Sequence, residues 1–223
     1  DCVGGIDDLE QGLIRLIGDP EARYREDPVR MLRAIRFAAK LGFNIHPDTE
    51  KPIYELHDLL GHMSNARLFD ECLKLFLTGN ASHVYTLLHQ YNILSILFPQ
   101  TDACLNETDW HQATHQFLFS LFENTDGRID AGKPVTPTFI FAALLWLPIL
   151  KRKNELVDRG EPLLDAFETA VNEISSKQQS STAIPRRYTT AMREIWHMQH
   201  ALEKHHGKKP LKLVHQQRFR AAY

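Results

Sequence analysis

Cysteine is scarce in this chain: Cys2, Cys72 and Cys104 are widely spaced and form no Cys-x-x-Cys pair. That excludes a disulfide framework and a zinc knuckle, and a reducing, cytoplasmic setting is the expectation that follows. Long apolar runs are missing too. The richest stretch, Phe139 to Leu150, falls short of the roughly 18 residues a membrane span requires and contains Pro148, so no membrane partner is expected. No segment alternates with a period of two for long enough to make a convincing strand, and no internal repeat occurs. The opening residues carry neither an initiator Met nor a secretory leader and start in a Gly-Gly turn, so a fragment of a longer protein is expected.

What is present is a chain of 223 residues, 43% apolar and 24% charged, long enough to bury one large core or two modest ones. Apolar residues recur at helical spacing nearly everywhere, which predicts an all-α fold. Start and stop signals place helices from Asp27-Pro28 to Leu41-Gly42, from Asp48 or Thr49 to Leu60-Gly61, and from Ser64 to Thr78-Gly79. Further helices are expected at Ala81 to Tyr91, Glu107 to Asn124, Pro137 to Lys153, Glu161 to Lys177, Ile184 to His206 and Lys209 to Ala222. Asp126 to Val135 and Ser175 to Thr182 are polar and rich in Gly or Ser, and read as loops. Asp1 to Ile6 reads as the end of a strand or a loop.

The net charge of −2 hides an asymmetry. Nine Lys/Arg face two acids from Ala183 to Tyr223, leaving seventeen against twenty-six before it. A basic end on an acidic protein points to a polyanion met by one surface, since phosphate contacts need clustered cations. A solvated basic helix is the plain alternative.

The densest signal is Arg23-Tyr-Arg-Glu-Asp-Pro-Val-Arg-Met-Leu-Arg-Ala-Ile-Arg-Phe37. At 100° per residue, Met31, Leu32, Ile35, Ala38 and Ala39 share one face, and Val29, Arg30, Arg33, Arg36 and Phe37 the other. Asp27 before Pro28 has an ordinary explanation as N-cap and first helical residue. Arg30 does not, because an early helical position favours an acid over a cation. As a pair, Asp27 accepts from an exocyclic amine and Arg30 donates to a ring nitrogen, which complements the pairing edge of adenine or cytosine. Guanine and uracil would meet like with like, and each buried group left unpaired costs about 1 to 3 kcal/mol.

These residues carry a resemblance. Gly5-Ile-Asp-Asp-Leu-Glu-Gln-Gly-Leu-Ile-Arg15, Gly18-Asp-Pro20 and Glu26-Asp-Pro-Val-Arg30 with Met31-Leu-Arg-Ala-Ile-Arg-Phe37 resemble the motifs of the class II nucleotidyltransferases, which comprise bacterial poly(A) polymerases and CCA-adding enzymes. The resemblance implies that Asp27 and Arg30 read the incoming base, that Arg33 and Arg36 belong to the same nucleotide site, and that Asp8-Leu9 to Ile14-Arg15 links a catalytic head to a neck. It divides the chain into the end of the head (1–20), the neck (21–100) and a helical body (101–223). It also implies ATP and Mg²⁺ as cofactors of the intact enzyme, with the ions held by an Asp-x-Asp pair. No Asp-x-Asp triplet occurs here, and adjacent Asp7 and Asp8 point in divergent directions, so no bound cofactor and no nucleotide transfer are expected of this chain alone.

Other candidates have plain explanations beside the functional ones. Ser64-Asn-Ala-Arg67-Leu-Phe-Asp-Glu71 resembles the next family motif, and a capped helix with an Arg67-Glu71 pair explains it as well. His111 and His115 beside Asp109 have a metal spacing but no His-Glu-x-x-His pattern, which favours a surface pair. Ala142-Ala-Leu-Leu-Trp146-Leu-Pro148 lacks the His-Asp of the phosphohydrolase domain found in some relatives. In the tail, Arg186, Arg187, Lys208, Lys209, Arg218 and Arg220 are the candidate RNA contacts, with Tyr188 as a stacking surface and Trp196 favoured as core. The tail resembles that of bacterial poly(A) polymerases, which favours poly(A) synthesis on an RNA 3′ end, and since those proteins continue further, trimming at the C-terminus is expected too. A CCA-adding enzyme and a non-catalytic helical RNA-binding module are the alternatives.

Overall fold

Asp19, His46 and Thr136 cap helix starts with their side chains in a computed structural model that describes residues 4–202, 214–216 and 218–222. In order the elements are α1 (Gly5–Glu10), β1 (Leu13–Ile14), α2 (Pro20–Glu26), α3 (Val29–Leu41), β2 (Asn44–Ile45), α4 (Pro47–Leu56), a 3₁₀ turn (His57–His62), α5 (Asn65–Phe76), α6 (Ala81–Gln90), α7 (Leu94–Leu97), α8 (Pro99–Leu105), α9 (Thr108–Asp130), α10 (Pro137–Asp158), α11 (Leu163–Gln179), α12 (Arg186–Leu202) and α13 (Phe219–Ala222). Strand content among the described residues is one parallel pair, Leu13 opposite Asn44 and Ile14 opposite Ile45. The chain is all-α in substance. It forms two compact units, one reaching Val135 and including Ser180–Ala183, the other holding Thr136–Gln179 and the described residues from Ile184 on.

The first unit is built around α3. Its face of Met31, Leu32, Ile35, Ala38 and Ala39 is buried as the helical period requires, and Ala34 and Val29 join it. Val29, at the first helical position, is fully buried and so does not sit with the arginines. Each aliphatic side chain buried this way contributes about 1.5 to 3 kcal/mol. The helix ends at Gly42, whose φ of 66° is the left-handed conformation that glycine adopts without strain. Asp19 caps α2 through bonds from the Glu21 and Ala22 amides, with Pro20 at the first position.

Two expectations shift in this unit. His46, not Asp48 or Thr49, caps α4 by accepting from the Asp48 amide. Thr49 is instead buried and accepts from the Leu16 amide at 3.0 Å, fastening the segment after β1. The second shift concerns residues 126–130, which read as loop and are the last turn of α9. Asp126 there accepts from the Ala81 amide (2.7 Å), the Ser82 amide (2.9 Å) and the Ser82 hydroxyl (2.7 Å), so it caps α6 from a distant part of the chain. That long-range anchor outweighs the helix cost of Gly127. Residues 180–183 add a strap: Thr182 is buried and its hydroxyl donates to the Leu97 carbonyl at 2.8 Å.

In the second unit, α10 is apolar on most sides and buries Ile140, Phe141, Leu144, Leu145 and Ile149. Trp196 of α12 is core as favoured, 1% exposed, with its indole N–H donating to the Ala142 carbonyl at 2.9 Å. Arg152 joins α10 to α11 through Glu173 at 2.7 Å. The tail helix expected from Lys209 lies outside the described residues up to Val214, and the described part ends in α13.

Candidate functional site

The corner where α2 meets α3 brings the predicted base-reading pair together with two partners not foreseen. Asp27 lies just before α3 and accepts from the Val29 amide through Oδ1 (3.3 Å) and from Arg67 Nη2 of α5 through Oδ2 (2.9 Å). Arg30, one turn on, donates from Nη1 to Glu26 (2.6 Å) and to the Arg23 carbonyl (2.8 Å). The unusual cation early in α3 therefore has a structural account: it satisfies a carbonyl at the C-terminal end of α2, where positive charge is favoured. Both side chains keep 18% of their surface exposed, so a ligand can reach them.

Both hydrogen bonds of the Arg30 side chain use Nη1. Its Nη2 and Nε have no partner among the described residues, nor does Arg67 Nη1. The corner thus presents one carboxylate oxygen held by a guanidinium and spare N–H donors beside it. The hydrogen bond from Arg30 holds Glu26 below its ordinary carboxylate range, so this charge stays negative and keeps Arg30 in place. The Arg67-Glu71 pair considered from sequence does not form. Glu71 is buried against Lys74 at 2.8 Å, and Arg67 turns to Asp27. Its place in the Ser64 to Glu71 motif was the one sequence signal for it.

Arg33 is exposed, with no hydrogen bond or ion pair among the described residues. Arg36 is half-buried, its guanidinium 5.0 Å from the centre of the exposed Phe37 ring, and its buried Nε has no partner among the described residues. In the first unit too, Arg15 grips Asp8 through Nε (2.8 Å) and Nη2 (3.0 Å). That pair ties α1 to β1 and gives the quoted linking motif a physical role; the arginine hydrogen bond pulls the Asp8 carboxyl below its usual range.

In the second unit, Arg186 and Arg187 are exposed at the start of α12, and Arg187 lies 4.8 Å from the centre of the Tyr188 ring. Arg218 pairs with Glu194 at 2.5 Å, while Arg220 is exposed. Lys208 and Lys209 lie outside the described residues. His111 turns its Nδ1 to the Leu105 carbonyl, and its ring centre is 6.2 Å from that of His115. Among the described residues no group of three or more His, Cys, Asp or Glu side chains is placed to hold a metal ion. Together with the missing Asp-x-Asp triplet, this donor set does not fit a magnesium pair.

The Asp27 and Arg30 corner thus sits in a chain that is all-helical in substance. The fold is that of the Thermotoga maritima CCA-adding enzyme complexed with tRNA, with a TM-score of 0.58 over 91% of this chain and 42% of that one at 19% identity, a likeness of architecture. Two family models match, "Probable RNA and SrmB-binding site of polymerase A" over residues 42–105 and "Polymerase A arginine-rich C-terminus" over residues 159–223. Poly(A) polymerase I of Salmonella typhimurium is 43% identical over 224 aligned residues, covering 100% of this chain and 48% of that protein. The CCA-adding enzyme of Bacillus subtilis is 48% identical, but over 37% of this chain and 20% of that enzyme. The chain belongs to the bacterial poly(A) polymerase family, and it spans about half the length of the curated relatives it matches.

Proposed function

We propose that this chain is the nucleotide-selecting and RNA-holding part of a template-independent poly(A) polymerase, which adds AMP from ATP to RNA 3′ ends. The observation that carries this reading is coverage: similarity to poly(A) polymerase I runs the whole chain, whereas similarity to the CCA-adding enzyme of Bacillus subtilis stops at 37% of it. In this reading Asp27 Oδ1 accepts from the adenine amine on the lone pair not used by its longer, 3.3 Å bond from the Val29 amide, while Oδ2 stays held by Arg67 at 2.9 Å. Arg30 donates to the ring nitrogen with Nη2 or Nε, the nitrogens its structural bonds leave unused. Arg33 and Arg36 add positive field for the triphosphate. Arg186, Arg187, Lys208, Lys209, Arg218 and Arg220 track the RNA backbone, which makes binding strongly dependent on salt.

A nucleotide-preference assay on the protein with its catalytic part tests this. Long A tails on generic RNA are expected. CCA addition confined to tRNA would replace this reading with the CCA-adding one. Incorporation of ATP by the present chain alone would overturn the division of labour.

A further inference from the structure

From Leu75 to Gly127 the chain has no lysine and no arginine, yet it carries Asp102, Glu107, Asp109, Glu123 and Asp126. Helix α6 lies in this stretch and forms one wall of a cleft of about 310 Å³ whose other walls come from α3, β2 and α4. Phe43, Asn44, Glu50, Leu87, Gln90 and Tyr91 line it, His83 stands among them, and among the described residues no lysine or arginine does.

Glu50 is the chemical centre of the cleft. It is half-buried, and its Oε1 accepts from the buried Tyr91 hydroxyl at 2.8 Å and from Gln90 Nε2 at 3.4 Å. Gln90 is itself steadied by the Tyr54 hydroxyl at 3.0 Å. Oε2 has no partner, and Glu50 no ion pair, among the described residues. A carboxylate taken partly out of water is costly unless a donor or a cation meets it. Here one oxygen is fixed by two donors and the other is left open.

The charge of that opening selects its occupant. A phosphate would meet a carboxylate and no counter-charge, which rules against a nucleotide or an RNA backbone. Arginine suits the site: its planar fork matches a carboxylate, it lies against aromatic faces, and it is less strongly hydrated than an ammonium. Phe43, partly exposed, lines the cleft and brings an aromatic side chain to it. Further cations on the same partner would find the lysine- and arginine-free stretch around α6, which steers encounter.

We propose that this cleft receives an arginine side chain from a basic protein segment, its guanidinium donating to Glu50 Oε2. The site is separate from the Asp27 corner and does not depend on the nucleotide reading.

Fluorescence anisotropy with a short labelled Arg-Gly repeat peptide tests it, beside the same peptide with citrulline for arginine and a short oligo(A). The arginine peptide is expected to bind, and the neutral citrulline peptide at least about tenfold more weakly. Glu50→Gln removes the charge, and Gln90→Arg, at an exposed position, supplies an internal cation. Each is expected to weaken the arginine peptide about tenfold or more while leaving oligo(A) within about twofold. Thermal unfolding by circular dichroism checks that Glu50→Gln is folded, and Gln90→Arg carries the test if it is not. The proposal is overturned if the wild-type chain does not bind the arginine peptide or binds the citrulline peptide equally. It is also overturned if neither variant changes peptide affinity, or if Glu50→Gln weakens oligo(A) instead, which would make the occupant an RNA base.

Discussion

Arg67 Nη2 lies 2.9 Å from Asp27 Oδ2, joining α5 to the start of α3 across forty positions of sequence. The arginine is 42% exposed and the aspartate 18%, so the pair is a positioning contact more than a stabilising one. Arg67→Ala is expected to lower the unfolding free energy by less than about 1 kcal/mol. In the protein that carries the catalytic part, the same change lets Asp27 rotate, and GTP incorporation relative to ATP rises about tenfold. An unchanged ratio at unchanged stability would remove Arg67 from the selecting corner.

Arg30 has two duties, and a conservative change separates them. Arg30→Lys keeps a cation for Glu26 and the Arg23 carbonyl, now met through the single Nη1 at 2.6 and 2.8 Å. It removes the planar fork whose other nitrogens would reach the base. Thermal stability is expected to stay near that of the wild type while discrimination among nucleotides falls about tenfold to a hundredfold. Loss of stability with discrimination intact would assign Arg30 to the fold alone.

Helix α3 was legible because its information is local: a 3.6-residue apolar period, Asp27-Pro28 before it and Gly42 after it. Trp196 was legible as core for the same reason. What the sequence did not disclose are partners set by tertiary approach. Asp27 meets Arg67, Asp126 meets the start of α6, and Trp196 finds the Ala142 carbonyl, at separations of 40, 45 and 54 positions. A helical period tells which face is buried, not which distant group completes a cap or an ion pair. Residues 126–130 were misread for that reason, since Gly127 signals a loop locally and the anchor that overrides it comes from residues 81 and 82.

That anchor is strong enough to measure. Asp126→Ala leaves the Ala81 and Ser82 amides without their acceptor at a helix start packed against α9. A loss of about 1 to 2 kcal/mol is expected from urea unfolding, the range for removing a good N-cap. Asp126→Asn, which keeps one acceptor oxygen, recovers part of it. A loss below about 0.5 kcal/mol would mean that the last turn of α9 is held by packing alone.

Four carboxylates are pulled below their ordinary range with the help of arginine hydrogen bonds: Asp8 by Arg15, Glu26 by Arg30, Glu173 by Arg152, and Glu155, against the opposing effect of its own burial, by Arg152 and Lys151. A depressed folded-state value means that the unfolded chain binds protons first as the solution is acidified. The stability these pairs contribute is therefore complete above the ordinary carboxylate values and is lost as pH falls through the folded ones. Asp102 acts in the opposite sense, because burial raises it, and it offsets part of the loss. The urea midpoint is expected to change little from these groups between pH 7 and pH 5 and to drop below about pH 4.5. Arg152→Ala should shallow that drop, since Glu155 and Glu173 both lose the arginine hydrogen bond that lowers them. A midpoint that rises on acidification would show that buried acids of the Asp102 kind, and not the arginine-paired ones, govern the acid limb.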